Sequence, residues 1–204
     1  MLQQCASRVV DRLYQSHTLD PSKRAIYQYG TELTLSTSAA VFSILLLAVL
    51  FGNWIWGALF LIVFFSLRLP GGGYHASTYR NCFLLTNSVF LISFGLSKLF
   101  LFSPTAVGAV FLLGSCVVIW VLAPIVNPRH PVSMQTYMKN KNTVRGIATI
   151  ASVLVFFAEW VFSLHSLFCI YSASVAAVAV MMILTKFRGG TKNERDHQHH
   201  RSNH

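Results

Sequence analysis

The pattern on which the fold depends is concentrated in residues 68–102, which read R-L-P-G-G-G-Y-H-A-S-T-Y-R-N-C-F-L-L-T-N-S-V-F-L-I-S-F-G-L-S-K-L-F-L-F. The first fifteen residues are rich in glycine and polar side chains, and the next twenty are mostly apolar. An apolar run of about 20 residues is the length that an α-helix needs to cross about 30 Å of hydrocarbon. The stretch therefore predicts a polar segment at a membrane edge that leads directly into a transmembrane helix.

Five further apolar segments accompany that helix. They lie at about 33–51, 54–67, 106–126, 147–165 and 167–187. Only 11% of the 204 residues are charged, whereas a soluble domain carries about 25%. The composition predicts an all-α membrane protein with about six transmembrane helices. The segment at 54–67 is the shortest, so it could tilt, remain short or continue through Pro70 into a re-entrant turn.

The two ends of the chain lie outside the predicted membrane helices. Apolar residues recur at helical spacing in residues 1–30, which predicts an amphipathic helix or helix pair on the cytoplasmic membrane surface. Residues 188–204 are polar and predict a disordered tail. We therefore expect one integral membrane domain over residues 1–187.

Basic residues indicate on which side of the membrane each connection lies. With six helices and the N-terminus inside, fifteen of the sixteen Lys and Arg residues fall on one side, and only Lys98 lies toward the other. Because cytoplasmic loops carry an excess of Lys and Arg, we expect both termini and the connections 68–82 and 127–146 to be cytoplasmic. This placement accounts for the net charge of +10 without nucleic acid, and the expected partner is membrane lipid.

Two charged residues, Lys98 and Glu159, lie inside apolar segments. Counted from the cytoplasmic ends of their helices, each lies about 20 Å deep at about 1.5 Å a residue. Charges within a membrane are costly and are usually paired. The sequence allows an ion pair between Lys98 and Glu159. It equally allows Lys98 to reach outward to water while Glu159 is protonated or pairs elsewhere.

Residues 68–82 contain the groups that thiolate chemistry needs. The thiolate, rather than the thiol, is the nucleophile of a cysteine, and a neighbouring histidine can accept its proton. Cys82 and His75 are the candidates for these two roles. Arg68 and Arg80 place positive charge nearby, and Cys82 falls in the first turns of a predicted helix, where negative charge is favoured.

The spacing of His75 and Cys82 requires a break in the helix. On one straight helix, residues seven apart are separated by about 10 Å along the axis, which is too far for a hydrogen bond. We therefore expect the chain to break before a helix start at Ser77 or Thr78, so that His75 folds back over Cys82. Glycines let backbone amides approach a ligand closely and are candidate donors to a developing oxyanion. They are Gly71, Gly72 and Gly73.

The spacing of the four cysteines gives no reason to expect a cofactor. Cys5, Cys82, Cys116 and Cys169 show no C-x-x-C spacing, so neither a metal site nor a disulfide framework is expected. Only two possible ligands, His75 and Cys82, are near each other in the sequence, which is too few for a metal. Cys116 and Cys169 lie in apolar runs, where we expect them to pack as small hydrophobic residues.

The stretch R-L-P-G-G-G-Y-H-A-S-T-Y-R-N-C closely resembles the signature of the accessory gene regulator B (AgrB-like) family. Members are membrane cysteine endopeptidases of bacterial quorum sensing. Y-G-T-E at 29–32 and A-P-I-V-N-P-R-H-P at 123–131 resemble two further elements of that family. The resemblance implies that His75 and Cys82 are the catalytic pair and that residues 68–82 form a glycine-rich catalytic loop.

By position, the resemblance also implies that Arg68, Gly73 and Glu32 are needed for activity. Arg68 could bind a precursor carboxylate, favour the thiolate or simply anchor a helix end on the cytoplasmic side. Glu32 could orient a partner, contact the substrate or be an acid favoured by the dipole at a helix N-terminus. Asn81 and Asn87 are the candidates for a third catalytic group.

The resemblance implies cleavage of an autoinducing-peptide precursor through a Cys82 acyl-enzyme, followed by cyclisation to a thiolactone or lactone. The implied partners are a short precursor peptide with an amphipathic helix and an acidic tail, and a second copy of the chain in a homodimer. The implied location is the bacterial cell membrane. The alternative is a small non-catalytic membrane transporter with a re-entrant glycine-rich loop, in which Lys98 and Glu159 serve transport.

Overall fold

The computed structural model describes residues 7–12, 24–72, 79–125 and 133–201, with side chains as far as Phe187. The helices are α1 (residues 7–12), α2 (Arg24–Leu50), α3 (Trp54–Gly71), α4 (Tyr79–Leu101), α5 (Thr105–Leu122), α6 (Met134–Phe162) and α7 (His165–Arg201). These ranges contain no strand, only an isolated bridge between Gly72 and Ile125. The predicted all-α class is therefore confirmed.

Six of the helices are long and apolar enough to cross a membrane. They are α2 to α6 and residues His165–Phe187 of α7, so the predicted number is confirmed. α3 has 18 residues and continues through Pro70 to Gly71, whereas the apolar pattern ended at residue 67 because Arg68 interrupts it. The additional turn brings α3 into the range of about 17–25 residues that spanning helices have.

Two helices begin earlier than the apolar pattern predicted. α2 begins at Arg24 rather than near residue 33, and α6 begins at Met134 rather than near residue 147. At α6 the Ser133 hydroxyl accepts a hydrogen bond from the backbone N–H of Thr136 at 3.3 Å, which is N-cap geometry. Both helices start with polar turns that an apolar pattern cannot reveal. Most of the predicted 127–146 connection is consequently helical.

The turn between α6 and α7 lies two residues before the predicted one. Ser163 adopts the left-handed conformation (φ 51°, ψ 41°), and its N–H donates to the carbonyl oxygen of Glu159 at 2.9 Å. α7 begins at His165, whereas the apolar pattern placed this residue at the end of the preceding segment. A left-handed serine has no sequence signature comparable to that of glycine, so the pattern offered no marker for the break.

The chain divides into two compact units, and the first comprises residues 1–54 and 76–88. Within this unit Tyr79 lies near Glu32. Further along both helices, the Ser43 hydroxyl donates to Asn87 Oδ1 at 2.8 Å. Both pairs advance along the sequence together, so α2 and the beginning of α4 run in the same direction. The buried residues of α2 recur every four positions, at Glu32, Ser36, Ala40, Ile44 and Ala48.

The second unit comprises residues 55–75 and 89–204, and α7 is its most buried helix. Small side chains let neighbouring helices approach closely in a membrane. The small buried residues of α7 are Ser172, Ala173, Ser174, Ala176 and Ala179. On α5, a Cβ at Gly108 would lie 2.8 Å from the Phe168 ring of α7. The second unit is therefore assembled around α7, whose buried residues include many small ones.

Consecutive helices of the second unit run in opposite directions. The contacts that show this are Trp56 with Lys98 and Phe60 with Phe90 between α3 and α4, and Cys116 with Ser152 and Trp120 with Thr149 between α5 and α6. In each pair, residues further along one helix contact residues that come earlier in the other, so the two helices are antiparallel. Alternating directions are what a chain that crosses a membrane repeatedly requires.

The two charges inside apolar segments do not pair with each other. The Lys98 ammonium group lies 4.9 Å from the Trp56 ring centroid and 5.5 Å from that of Phe94. Glu159 Oε1 lies 3.0 Å from His165 Nδ1. The predicted Lys98–Glu159 ion pair is therefore wrong, because each charge has a closer partner. The depths of Lys98 and Glu159 in the membrane could not reveal these partners. The partner of Lys98 is an aromatic ring, and that of Glu159 lies beyond the turn after α6.

Candidate active site

Cys82 is the fourth residue of α4 and carries a free, partly buried thiol. Its backbone carbonyl oxygen accepts a hydrogen bond from Thr86 Oγ1 at 2.9 Å. α4 begins at Tyr79, next to the predicted start at Ser77 or Thr78, so the cysteine does lie in the first turn of a helix. The unbonded N–H groups at that end of a helix favour negative charge.

Two of the predicted site residues, His75 and Gly73, lie outside the described residues. The reach of the His75 imidazole to the Cys82 thiol therefore stays a prediction. Arg80 is exposed on the first turn of α4, where it adds positive charge within two residues of the cysteine. A cation and a helix N-terminus are both features that favour a thiolate nucleophile.

Glu32 lies inside α2 and is only 7% exposed. Its Oε1 accepts a hydrogen bond from Gln28 Nε2 at 3.2 Å, and Tyr79 lies near its carboxylate. Because α2 begins at Arg24, Glu32 is more than two turns from the helix start. The interpretation of Glu32 as a dipole-favoured N-terminal acid is therefore wrong, since that effect is confined to the first turn.

Asn87 has a packing role that its sequence position did not reveal. Its Nδ2 donates to the carbonyl oxygen of Phe83 at 2.9 Å, and its Oδ1 accepts from Ser43 at 2.8 Å. Both ends of the amide are thus occupied within the first unit. This leaves Asn87 without the free acceptor that a third catalytic group would offer to an imidazole, and Asn81 is exposed on α4.

Arg68 lies in the last turn of α3, within the second unit. Its guanidinium group is 5.1 Å from the Phe64 ring centroid, and Nη1 lies 3.7 Å from Met181 Sδ. A cation near a helix C-terminus also interacts favourably with the helix dipole. These contacts support the role of an anchor at the helix end and leave the predicted role in substrate binding untested.

Gly71 and Gly72 lie close to the backbone of Ile125. The carbonyl oxygen of Gly71 accepts from the N–H of Ile125 at 2.9 Å, and Gly72 has φ +68°. A Cβ at Gly72 would collide with the Ile125 carbonyl oxygen, and one at Gly71 would lie 2.6 Å from Met182 Cε. Both glycines thus have a packing reason to be glycine, in addition to the predicted role as oxyanion donors.

A second cysteine–histidine arrangement, missed at the sequence level, occurs at the start of α7. Cys169 Sγ lies 3.7 Å from His165 Nε2, and His165 Nδ1 lies 3.0 Å from Glu159 Oε1. The order carboxylate, imidazole, thiol is that of a catalytic triad. Yet Cys169 is 1% exposed and packs in a cluster with Phe100, so a peptide carbonyl has no access to its sulfur. The four-residue spacing of His165 and Cys169 was the only available signal.

Cys116 is hydrogen-bonded rather than packed as a purely hydrophobic residue. Its Sγ lies 3.3 Å from Ser152 Oγ, which in turn lies 3.1 Å from the Tyr171 hydroxyl. This chain of polar groups links α5, α6 and α7. Among the described residues, no group of three His, Cys, Asp or Glu side chains could hold a metal ion.

The comparisons with known proteins give one match. The family model described as accessory gene regulator B matches residues 6–187, which includes all six candidate membrane helices and every residue of the predicted site. Neither the curated proteins nor the solved structures provide a match to the chain. The matched range covers well over half of the 204 residues, which is enough to establish the family.

Proposed function

Because the chain belongs to the accessory gene regulator B family, we propose that it is a membrane-embedded cysteine endopeptidase that processes an autoinducing-peptide precursor. Family membership supports a role in the accessory gene regulator quorum-sensing system. The observation that carries the finer proposal is the position of Cys82. It is a free, partly buried thiol in the first turn of a membrane helix, directly after the glycine-rich stretch.

In the proposed reaction, Cys82 is the nucleophile and His75 the general base. His75 takes the thiol proton, and the sulfur attacks the carbonyl carbon of a peptide bond in the precursor. The bond to nitrogen breaks, His75 returns the proton to the departing amine, and the C-terminal part of the precursor leaves. The N-terminal part remains on Cys82 as a thioester.

Cyclisation then releases the acyl group without water. A cysteine thiol or serine hydroxyl within the bound peptide attacks the thioester carbonyl, and the Cys82 thiol is restored as the ring closes. With an internal cysteine, one thioester replaces another of similar free energy. Exclusion of water from the intermediate is consequently the main requirement, and a site at the end of membrane helices suits that requirement.

Charge distribution supports a cytoplasmic site and an acidic substrate. In the second unit, α3 and α7 run in parallel, and their C-terminal ends carry Arg68 and Lys186. The first half of α6 adds Lys139, Lys141 and Arg145. An excess of basic residues marks the cytoplasmic side and attracts an acidic peptide tail. We therefore propose that both termini are cytoplasmic and that the precursor approaches from that side in the bacterial cell membrane.

The further partners are proposed from the family. The precursor is a short peptide whose amphipathic helix binds the inner membrane surface, and the enzyme acts as a homodimer. No observation favours the transporter alternative, in which Lys98 and Glu159 would serve transport. Both side chains have partners within one helical unit, Lys98 on the Trp56 ring and Glu159 on His165.

The test is co-expression of the full chain with its cognate precursor, followed by measurement of the cleaved and cyclised peptide. Cys82→Ala and His75→Ala are expected to abolish cleavage. The matched controls are Cys169→Ala and His165→Ala, which alter the other cysteine–histidine pair and are expected to retain cleavage. Continued processing by Cys82→Ala, or its loss only in the Cys169→Ala variant, overturns the proposal.

A further inference from the structure

The chain leaves α5 at Pro124 and turns to the end of α3. In a continuing helix the N–H of residue 124 would donate to the carbonyl oxygen of Trp120, four residues earlier, but proline has no backbone N–H. The next residue, Ile125, donates its N–H to the carbonyl oxygen of Gly71 on α3, at 2.9 Å. Residues 123–125, the crossing segment, thus join the end of α5 to the glycines at the end of α3.

Arg145 of α6 supplies the hydrogen bonds that Pro124 cannot. Its Nε and Nη2 both donate to the carbonyl oxygen of Trp120, at 3.1 and 2.6 Å, and its guanidinium carbon lies 4.9 Å from the Trp120 ring centroid. One turn further along α6, Thr149 Oγ1 accepts from Trp120 Nε1 at 3.0 Å. The last carbonyls of a helix lack helical donors, and a cation near them is favoured by the helix dipole. α6 therefore holds the end of α5 by both the backbone and the side chain of Trp120.

At its other end the crossing segment fits closely against Gly71 and Gly72. Gly72 and Ile125 form a parallel bridge, and a Cβ at Gly72 would collide with the Ile125 carbonyl oxygen. A displacement of Ile125 therefore either breaks its hydrogen bond to Gly71 or moves both glycines with it. In the sequence, Gly72 is followed three residues later by His75, the proposed general base.

We propose that Arg145 is a positioning residue for the peptidase. By holding Trp120 it fixes the crossing segment, and the crossing segment in turn fixes Gly71 and Gly72. The catalytic stretch continues from these two glycines toward His75. This role does not require Arg145 to touch the substrate or the reacting atoms. The inference rests on the proposed peptidase function, and it gives Arg145 a role beyond adding to the basic surface of α6.

The substitution Arg145→Lys separates positioning from simple attraction of an acidic peptide. A guanidinium group is planar, donates from several nitrogens in a fixed arrangement and stacks on aromatic rings, whereas an ammonium group is a compact point charge. Arg145→Lys therefore keeps the charge and loses the contact with Trp120. If Arg145 only attracts the substrate, Arg145→Lys retains activity. If it positions the crossing segment, Arg145→Lys and Arg145→Met lose similar amounts.

The first measurement is hydrogen exchange of the Ile125 amide in the full chain, in lipid vesicles without a precursor. We expect Arg145→Lys and Arg145→Met to speed this exchange about 10- to 100-fold, the value of one hydrogen bond from a charged group. The control Lys139→Met, which removes an exposed charge from the same half of α6, leaves the rate unchanged. Amides in the buried part of α7 report global opening and should keep their wild-type rates. An unchanged Ile125 rate in Arg145→Met, or an equal increase in α7, overturns the inference.

The second measurement is cleavage of the cognate precursor by the same variants. We expect kcat to fall about 10-fold or more in Arg145→Lys and Arg145→Met, with KM within about twofold. Thr143→Ala, at an exposed position of α6, keeps the wild-type rate. A wild-type kcat in Arg145→Lys, or a rise in KM alone in Arg145→Met, overturns the positioning role, and an inactive Cys82→Ala then leaves the peptidase standing. If Cys82→Ala still cleaves, the peptidase proposal itself fails, while the exchange of Ile125 still decides whether Arg145 holds the crossing segment.

Discussion

Gly72 illustrates how a single residue constrains the end of α3. Its φ of +68° is a conformation that L-residues with a side chain rarely adopt, and a Cβ there would collide with the Ile125 carbonyl oxygen. The collision is with backbone, so no side-chain rotation relieves it. The end of α3 therefore depends on glycine at position 72 for its conformation and for its close packing against Ile125.

Replacement of Gly72 is predicted to destabilise the second unit. Gly72→Ala should lower the free energy of unfolding by at least about 2 kcal/mol, because the left-handed conformation alone costs about 1–2 kcal/mol. The matched control is Gly114→Ala on α5, where no atom lies within 4 Å of the added Cβ and little change is expected. Thermal unfolding in detergent measures both, and equal melting temperatures for the two variants contradict the prediction.

The contacts of the two intramembrane charges predict which pairs of substitutions are energetically coupled. Glu159 contacts His165 at 3.0 Å, whereas Lys98 lies on the rings of Trp56 and Phe94. In double-mutant cycles, Glu159→Gln and His165→Asn should show a coupling of about 0.5–2 kcal/mol. Glu159→Gln and Lys98→Met should add to within about 0.5 kcal/mol. Coupling of Glu159→Gln with Lys98→Met alone would contradict the structure and support an ion pair between Lys98 and Glu159.

At the scale of a helix, the N-cap of α6 gives a testable contribution to stability. Ser133 accepts from the N–H of Thr136 and lies 2.9 Å from its hydroxyl group. Ser133→Ala should cost about 1 kcal/mol, as the loss of an N-cap does. It should also speed hydrogen exchange in the first turn of α6. The control is Thr143→Ala, at an exposed position within the same helix, and a larger effect from the control contradicts the assignment.

The helix interiors could be predicted from the sequence, and several helix ends could not. Apolar runs reveal where a helix is surrounded by lipid or protein, but α2 and α6 both extend by polar turns, and α6 ends at a left-handed serine. The helix start before Cys82 was predicted to within a few residues, because the sequence changes abruptly from polar to apolar there. The proximity of Glu32 to Tyr79 was not predicted, because these two residues are distant in the sequence.

At the scale of the whole molecule, the alternating helices and the basic residues together predict a topology. The turns after α4 and α6 should face outward, and the beginning of α6 should face the cytoplasm. In whole cells, a membrane-impermeant maleimide should label Ser103→Cys and Leu164→Cys directly, and Ser133→Cys only after permeabilisation. The parent chain, with its native cysteines, measures the background. Direct labelling of Ser133→Cys contradicts the proposed orientation.

The most direct test of the proposed peptidase is detection of its acyl-enzyme. The full chain in lipid vesicles is mixed with its cognate precursor, quenched in acid and digested, and the mass of each cysteine-containing peptide is measured. We predict an adduct of the precursor's N-terminal part on Cys82 that hydroxylamine removes, absent in Cys82→Ala and present in Cys169→Ala. Precursor cleavage with Cys82 unmodified, and undiminished in Cys82→Ala, would contradict a thiolate mechanism at this residue.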